Sequence, residues 1–162
     1  MGICGTELLE FIIRPTLRRL GVFAPAAENL LLGTAAVQSN MGFYLSGAQG
    51  IGVFGIDPDS HQAVWDEYLA FNEDLASEIR GFASQHEFLK APHAELACNL
   101  RYATAIAWMM YQRDNVDLGK LQTVQDLADC WHRVFARKND QQTPDNFLTH
   151  FENISTECER AA

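Results

Sequence analysis

The residues of this chain that could do chemistry are few and spread along it. General acid catalysis needs a carboxylic acid in an apolar setting, where the charged form is disfavoured and the proton is held near neutral pH. Asp57 and Asp59 are the carboxylates closest in sequence to the one glycine-rich stretch, Gly42 to Asp57. Asp57-Pro58 nevertheless reads first as a helix start, where acidic residues meet the positive end of the dipole, so Asp57 is a weak candidate for a substitute acid. Glu28 stands near a helix start and about 15 Å from Gln38 at ~1.5 Å rise per residue, too far to share a site with it. His61, His86, His93, His132 and His150 show neither HExxH nor HxxxH spacing. No metal centre is expected from them, and each reads as a surface or internally satisfied histidine. Ser39 and Ser60 lie outside any GxSxG elbow. Gly47-Ala48-Gln49-Gly50-Ile51-Gly52 has neither GxGxxG nor GxxxxGK and follows no strand, so no nucleotide and no other cofactor is implied.

The elements that must position these residues read as helices throughout, with one exception. Thr6 is placed to cap a first helix carrying Leu8, Leu9, Phe11 and Ile12, which Pro15 must bend or restart. Pro25 opens a second, with Leu30, Leu31, Thr34 and Val37 at helical spacing, running to about Gln38 with Gly42 just beyond. Gly42 to Ile56 is the exception. Its glycines alternate with Phe43, Tyr44, Leu45, Ile51, Val53, Phe54 and Ile56, the pattern of a small hairpin or irregular loop. Pro58 opens the next helix, with Val64, Tyr68, Leu75, Ile79 and Phe82 inward and a break near Phe71. Pro92 opens the strongest period in the chain, Leu96 to Tyr111, predicting a long buried central helix over about 92–112. Thr123 caps a helix bearing Leu127, Trp131 and Phe135, and Thr143-Pro144 opens the last, with Phe147, Leu148, Phe151 and Ile154. At helical spacing Trp65, Trp108 and Tyr111 read as core, whereas Tyr44 and Tyr102 are open to lining a groove.

The chain has 162 residues, enough for one domain spanning 1–162 that buries roughly two thirds of its unfolded surface. A net charge of −9 argues against a nucleic-acid partner, since phosphate binding needs clustered Lys and Arg. No window reaches the length of a membrane span, and no basic region plus apolar core marks a secretion signal. The start Met1-Gly2-Ile3-Cys4-Gly5-Thr6 fits a myristoylation pattern, but Thr6 is read as a helix cap. Cys4, Cys98, Cys130 and Cys158 show no CxxC spacing. Cys98 and Cys130 fall inside apolar helical patterns and read as buried free thiols in a reducing compartment.

Several stretches together resemble the lysozyme-like proteins related to soluble lytic transglycosylases that tailed bacteriophages encode. The stretch Ala24 to Gly42 carries a helix ending in Gln38-Ser39 before Gly42, where relatives have Glu-Ser and a Gly. Gly52-Val53-Phe54-Gly55-Ile56 is similar to their Gly-Leu-Phe-Gln-Ile segment. Leu100-Arg101-Tyr102-Ala103-Thr104-Ala105 resembles their central helix, and Leu127 to His132 with Thr143 to Phe147 their closing helices. The likeness runs roughly from Thr6 to Phe151, with Phe135-Ala136-Arg137 standing where relatives carry a Tyr-Asn-Thr-like segment.

The resemblance implies an all-α fold with at most a minimal β-hairpin, and a groove over Gln38, Ser39, Tyr44, Phe54, Gly55 and Tyr102. It also implies that the catalytic acid is missing, because Gln38 occupies its place and an amide cannot deliver a proton. General acid catalysis is typically worth 10²–10⁴-fold, so most activity should go with it. Gly55 replaces a second groove residue. The function so implied is that of a virion structural protein, a pseudoenzyme made in the host cytoplasm without a signal peptide. It would use the fold to dock other virion proteins, with weak glycan or peptidoglycan contact and no membrane or nucleic-acid partner. The alternative is a peptidoglycan-cleaving enzyme with a non-standard acid.

Overall fold

Pro15 shapes the first helix. A proline has no N–H to give, and its ring clashes with the carbonyl four residues back. In the computed structural model, which describes residues 2–136 and 141–161 with side chains up to 154, the chain meets this by widening. Helix α1 spans 5–19 and carries a π-helical segment, Leu8–Ile13, before an α-helical Arg14–Arg19. The Arg14 N–H donates to the Leu9 carbonyl, five residues back, so the turn before Pro15 is opened and the helix continues through it. Thr6 does not cap this helix: it begins at Gly5 with Cys4 in the capping position, and Cys4 makes no side-chain cap. Arg137 of the segment compared above lies outside the described residues.

Helix α2 is Pro25–Ser39, opened by its proline. Strands β1, Ser46–Gly47, and β2, Gly50–Ile51, form an antiparallel hairpin with Ser46 opposite Ile51, and Ile51 bridges back to Ile56. Helix α3 is Pro58–Glu67, capped by Asp57, followed by a 3₁₀ turn Leu69–Phe71 and then α4, Glu73–Arg80. Helices α5, Gln85–Lys90, and α6, Glu95–Cys98, flank a 3₁₀ turn Pro92–Ala94. Helix α7 is Leu100–Arg113, α8 is Val124–Phe135, and α9 is Pro144–Ala161. Thr123 and Asp126 close a capping box on α8. The chain is all-α with one minimal hairpin, and the hairpin lies inside the glycine-rich stretch. None of the described helices is long and apolar enough to cross a membrane.

The expected single helix over 92–112 is broken at Asn99. Its backbone is extended, and its side chain accepts from the Tyr102 N–H at 3.1 Å while donating to the Phe82 carbonyl at 2.8 Å and Glu95 Oε2 at 2.9 Å. A short amide side chain that bonds the local backbone competes with helix, and here it wins. One consequence is that Cys98, expected inside a helix core, is exposed; Cys130 is buried as expected.

Beyond that break α7 is the centre of the molecule. Tyr102 through Met109, with Tyr111, are buried, and α1, α2, α3 and α4 pack around it. Thr34 gives its hydroxyl proton to the Leu30 carbonyl at 2.6 Å, so the Tyr111 hydroxyl donates to Thr34 Oγ1 at 2.7 Å, tying α7 to α2. On its other side α2 meets α9 at Gly33, whose missing side chain leaves room for the Phe147 ring; a Cβ there would fall inside that ring. Phe147 packs in turn on Trp131, ring centres 5.9 Å apart.

Gly33→Ala should therefore destabilise the protein by about 1–3 kcal/mol through overpacking, although alanine favours a helix by about 1 kcal/mol over glycine. Trp131→Ala should cost about 3–5 kcal/mol, since Trp131 is wholly buried. Thermal or urea unfolding checks both, and a Gly33→Ala protein as stable as wild type would mean α2 and α9 are not in contact.

Candidate functional site

Helix α2 is stopped by three successive residues in the left-handed region, Asn40 at φ 50°, Met41 at φ 58° and Gly42 at φ 77°. Asn and Gly accept this conformation, and Met41 is held in it by burial of its side chain. The run turns the chain back over the end of α2. Ser39 then fastens it: its hydroxyl donates to the Val53 carbonyl at 2.6 Å and accepts from the Gly42 N–H at 2.7 Å. Helix end, left-handed turn and glycine-rich segment are thus joined through one oxygen.

This closure fixes Gln38. The residue is only 8% exposed, and its Oε1 is buried without a hydrogen-bond partner. Gly55, at φ 55°, sits directly on it, with a Cβ built at 55 falling 3.0 Å from the Gln38 Cβ. Gln38, Tyr44, Gly55 and the hairpin residues 46–50 line a cavity of about 220 Å³, and no carboxylate is among its lining residues. Tyr44 is 61% exposed at its edge and lies edge-to-face with Phe43. A larger cleft of about 640 Å³ shares the wall Ala48, Gln49 and Gly55, and continues to Asp57, Asp59 and Ser60 at the start of α3. Its far side carries Arg113 and Arg133. Arg133 is bound to Asp114 at 2.6 Å and Arg113 to Glu67 at 2.7 Å.

Of the expected groove residues, the structure brings Gln38, Tyr44 and Gly55 to one cavity. Ser39 is buried behind it as the fastening. Phe54 is in the core, because the 51–56 turn points it inward, and Tyr102 is buried on α7 bonded to His61 and Trp65; neither lines a groove. Asp57 caps α3, accepting from the Ser60 N–H at 2.9 Å and the Ser60 hydroxyl at 2.5 Å. Asp59 is exposed and makes no hydrogen bond or ion pair among the described residues. Glu28 is committed to Arg14 through two bonds of 2.9 and 3.0 Å.

Sequence spacing also missed one cluster. His61 and His93, 32 residues apart, meet at 2.8 Å between their Nδ1 atoms. No group of three or more His, Cys, Asp or Glu able to hold a metal occurs among the described residues. Comparison with protein-family descriptions, with characterised proteins and with solved structures finds no match to this chain.

Gly55 and Gly47 provide an internal contrast. Gly55→Ala puts a side chain in a left-handed position against Gln38 and should cost about 1–3 kcal/mol. Gly47→Ala meets nothing within 4 Å and should stay within about 0.5 kcal/mol of wild type. Equal melting shifts for the two would contradict the packing of Gly55 on Gln38.

Proposed function

We propose that this chain is a structural protein of a tailed-phage particle, built on a lysozyme-like scaffold that docks neighbouring virion proteins and contacts glycan without cutting it. The observation that carries this reading is the carboxylate-free cavity around Gln38. The resemblance to lytic transglycosylases implies a proton donor at that helix end, and bond cleavage needs the donor to protonate the glycosidic oxygen as it leaves. An amide there can hold a sugar hydroxyl or N-acetyl group by hydrogen bonds but has no proton to transfer. Two further features support it. The cavity carries an exposed aromatic ring at Tyr44, which suits contact with a sugar face. The net charge of −9, with no basic arm, directs the surface toward protein partners rather than packaged genome.

The second reading, an enzyme with a displaced acid, rests on Asp59 in the adjoining cleft. Asp59 is exposed at the start of α3 and lies outside the cavity at Gln38.

Two measurements test the proposal. The polypeptide should be found in purified virions at a fixed ratio to capsid protein, and the purified protein should fail to clear peptidoglycan at any pH from about 4 to 8, a range spanning ordinary and raised carboxyl values. Gln38→Glu adds a signature independent of turnover. Burial should raise the new carboxyl above its reference value of about 4.3, so the variant matches wild type below that pH. Its stability then falls as pH rises through the unfolded-state value, and the loss levels off above the folded-state value. Clearing by wild type would overturn the non-enzyme reading, and a pH-independent Gln38→Glu difference would mean that position 38 is solvated.

A further inference from the structure

The hydrogen bonds around His61 form a directed chain. The Trp65 Nε1–H can only donate, and it points at the Tyr102 hydroxyl oxygen at 3.0 Å. Among the described residues the Tyr102 O–H has one acceptor within reach, His61 Nε2 at 2.7 Å. His61 Nε2 is therefore the bare nitrogen and His61 Nδ1 carries the proton, which it donates to the bare Nδ1 of His93 at 2.8 Å. Every donor in the chain is matched, with one proton between the two imidazoles.

A second proton cannot enter without breaking a bond of this chain. On His93 Nδ1 it would set N–H against N–H at hydrogen-bond distance. On His61 Nε2 it would put a charge inside the core and take away the acceptor of the Tyr102 hydroxyl. Nor, among the described residues, is a carboxylate bonded to either ring to compensate. The groups facing His61 are His93 from the 92–94 turn and Tyr102 from α7, with Trp65 on its own helix. One contact further out are Glu95 from α6 and Arg80 from α4, both acting on Tyr102. Glu95 is fully buried, its Oε2 engaged by the Ser84 N–H and the Asn99 amide.

His61 sits on α3, whereas His93 sits on the segment 85–98, built from the short helices α5 and α6 and the turn between them. That segment also supports the cleft. Gly52, at φ 79°, lies directly against the Leu96 carbonyl, so the turn 51–56 that carries Gly55 rests on α6. We propose that the His61–His93 contact is an acid-sensitive latch: at neutral pH it holds the 85–98 segment against α3, and a second proton on the pair releases that segment and with it the backbone on which the cleft turn rests. This is independent of what the cleft binds.

Burial, followed by the nearby His93, lowers the His61 pKa from its ordinary 6.5 to about 4. The open segment exposes a histidine that takes a proton near 6.5, while the closed one resists down to about 4. Closure is thus unaffected above pH 6.5, weakens as pH falls between those values, and weakens no further below the lower one.

Amide hydrogen exchange, corrected for the intrinsic pH dependence, tests the latch on the whole chain. Between pH 7.5 and 5 the amides of Phe88, Ala91 and Ala94 should lose protection by roughly thirtyfold, the ratio set by those two pKa values, while the amides in the middle of α7 keep theirs. In the double variant His61→Gln/His93→Gln, whose amides can keep the hydrogen bonds but do not titrate, protection of the segment should be flat over that range. Should that variant fail to fold, nitrogen chemical shifts of the wild-type imidazoles decide the matter. The latch requires His61 protonated on Nδ1 at neutral pH and still neutral at pH 5. Unchanged protection of the segment in wild type, or a His61 that titrates near 6.5 with the segment closed, overturns the proposal.

Discussion

The site depends on one hydroxyl. Ser39 ends α2 and takes part in hydrogen bonds in both directions, to the Val53 carbonyl and from the Gly42 N–H. Backbone bonds from the Met41 N–H to the Ala35 carbonyl and from the Tyr44 N–H to the Ser39 carbonyl turn the chain back over the helix end, and the hydroxyl adds the link to Val53. With the hydroxyl in place, the glycine-rich segment is pinned to the last turn of α2, and the residue just before it, Gln38, is pressed under Gly55. Removing such a group leaves a buried N–H and a buried carbonyl unmatched, about 1–3 kcal/mol each, which explains why a polar side chain is retained at so buried a position.

Everything else in the molecule holds that helix end still. Helix α2 is gripped on one side by α7, through Thr34 and Tyr111, and on the other by α9, through Gly33 and Phe147. The turn over Gln38 rests on Leu96 of α6. Helix α6 is separate from α7 only because Asn99 interrupts the backbone and spends its amide on Phe82 and Glu95. The break that spoils a single long helix thus creates the short support beneath the cleft. A continuous helix through 92–113 would carry the same apolar residues without that support.

The helical elements were legible because their signals are local. Pro25, Pro58 and Pro144 each open a helix, Thr123 caps another, and the glycines from 42 to 55 mark the hairpin region. The errors arise where a side chain competes with the backbone or where contacts are distant. Asn99 breaks a period that apolar spacing alone extends, and Thr6 has the type of a cap but lies inside its helix. Phe54 and Tyr102 carry groove-compatible side chains, yet the 51–56 turn and the His61 network bury them. The His61–His93 pair joins positions 32 apart on different elements, which no short spacing rule reaches. Gln38 was singled out in the sequence only through a resemblance to a family; the structure shows its amide oxygen buried and Gly55 packed against it.

The proposed function requires that the cavity at Gln38 receive glycan and leave it whole. The most direct test is nuclear magnetic resonance of isotope-labelled protein titrated with soluble peptidoglycan fragments, with fragment length followed by mass spectrometry. Binding without cleavage should shift the Gln38 side-chain amide and the Gly55 backbone amide as fragments are added, and leave the fragments at unchanged length. Shortened fragments, or shifts confined to surfaces away from Gln38 and Gly55, would contradict it.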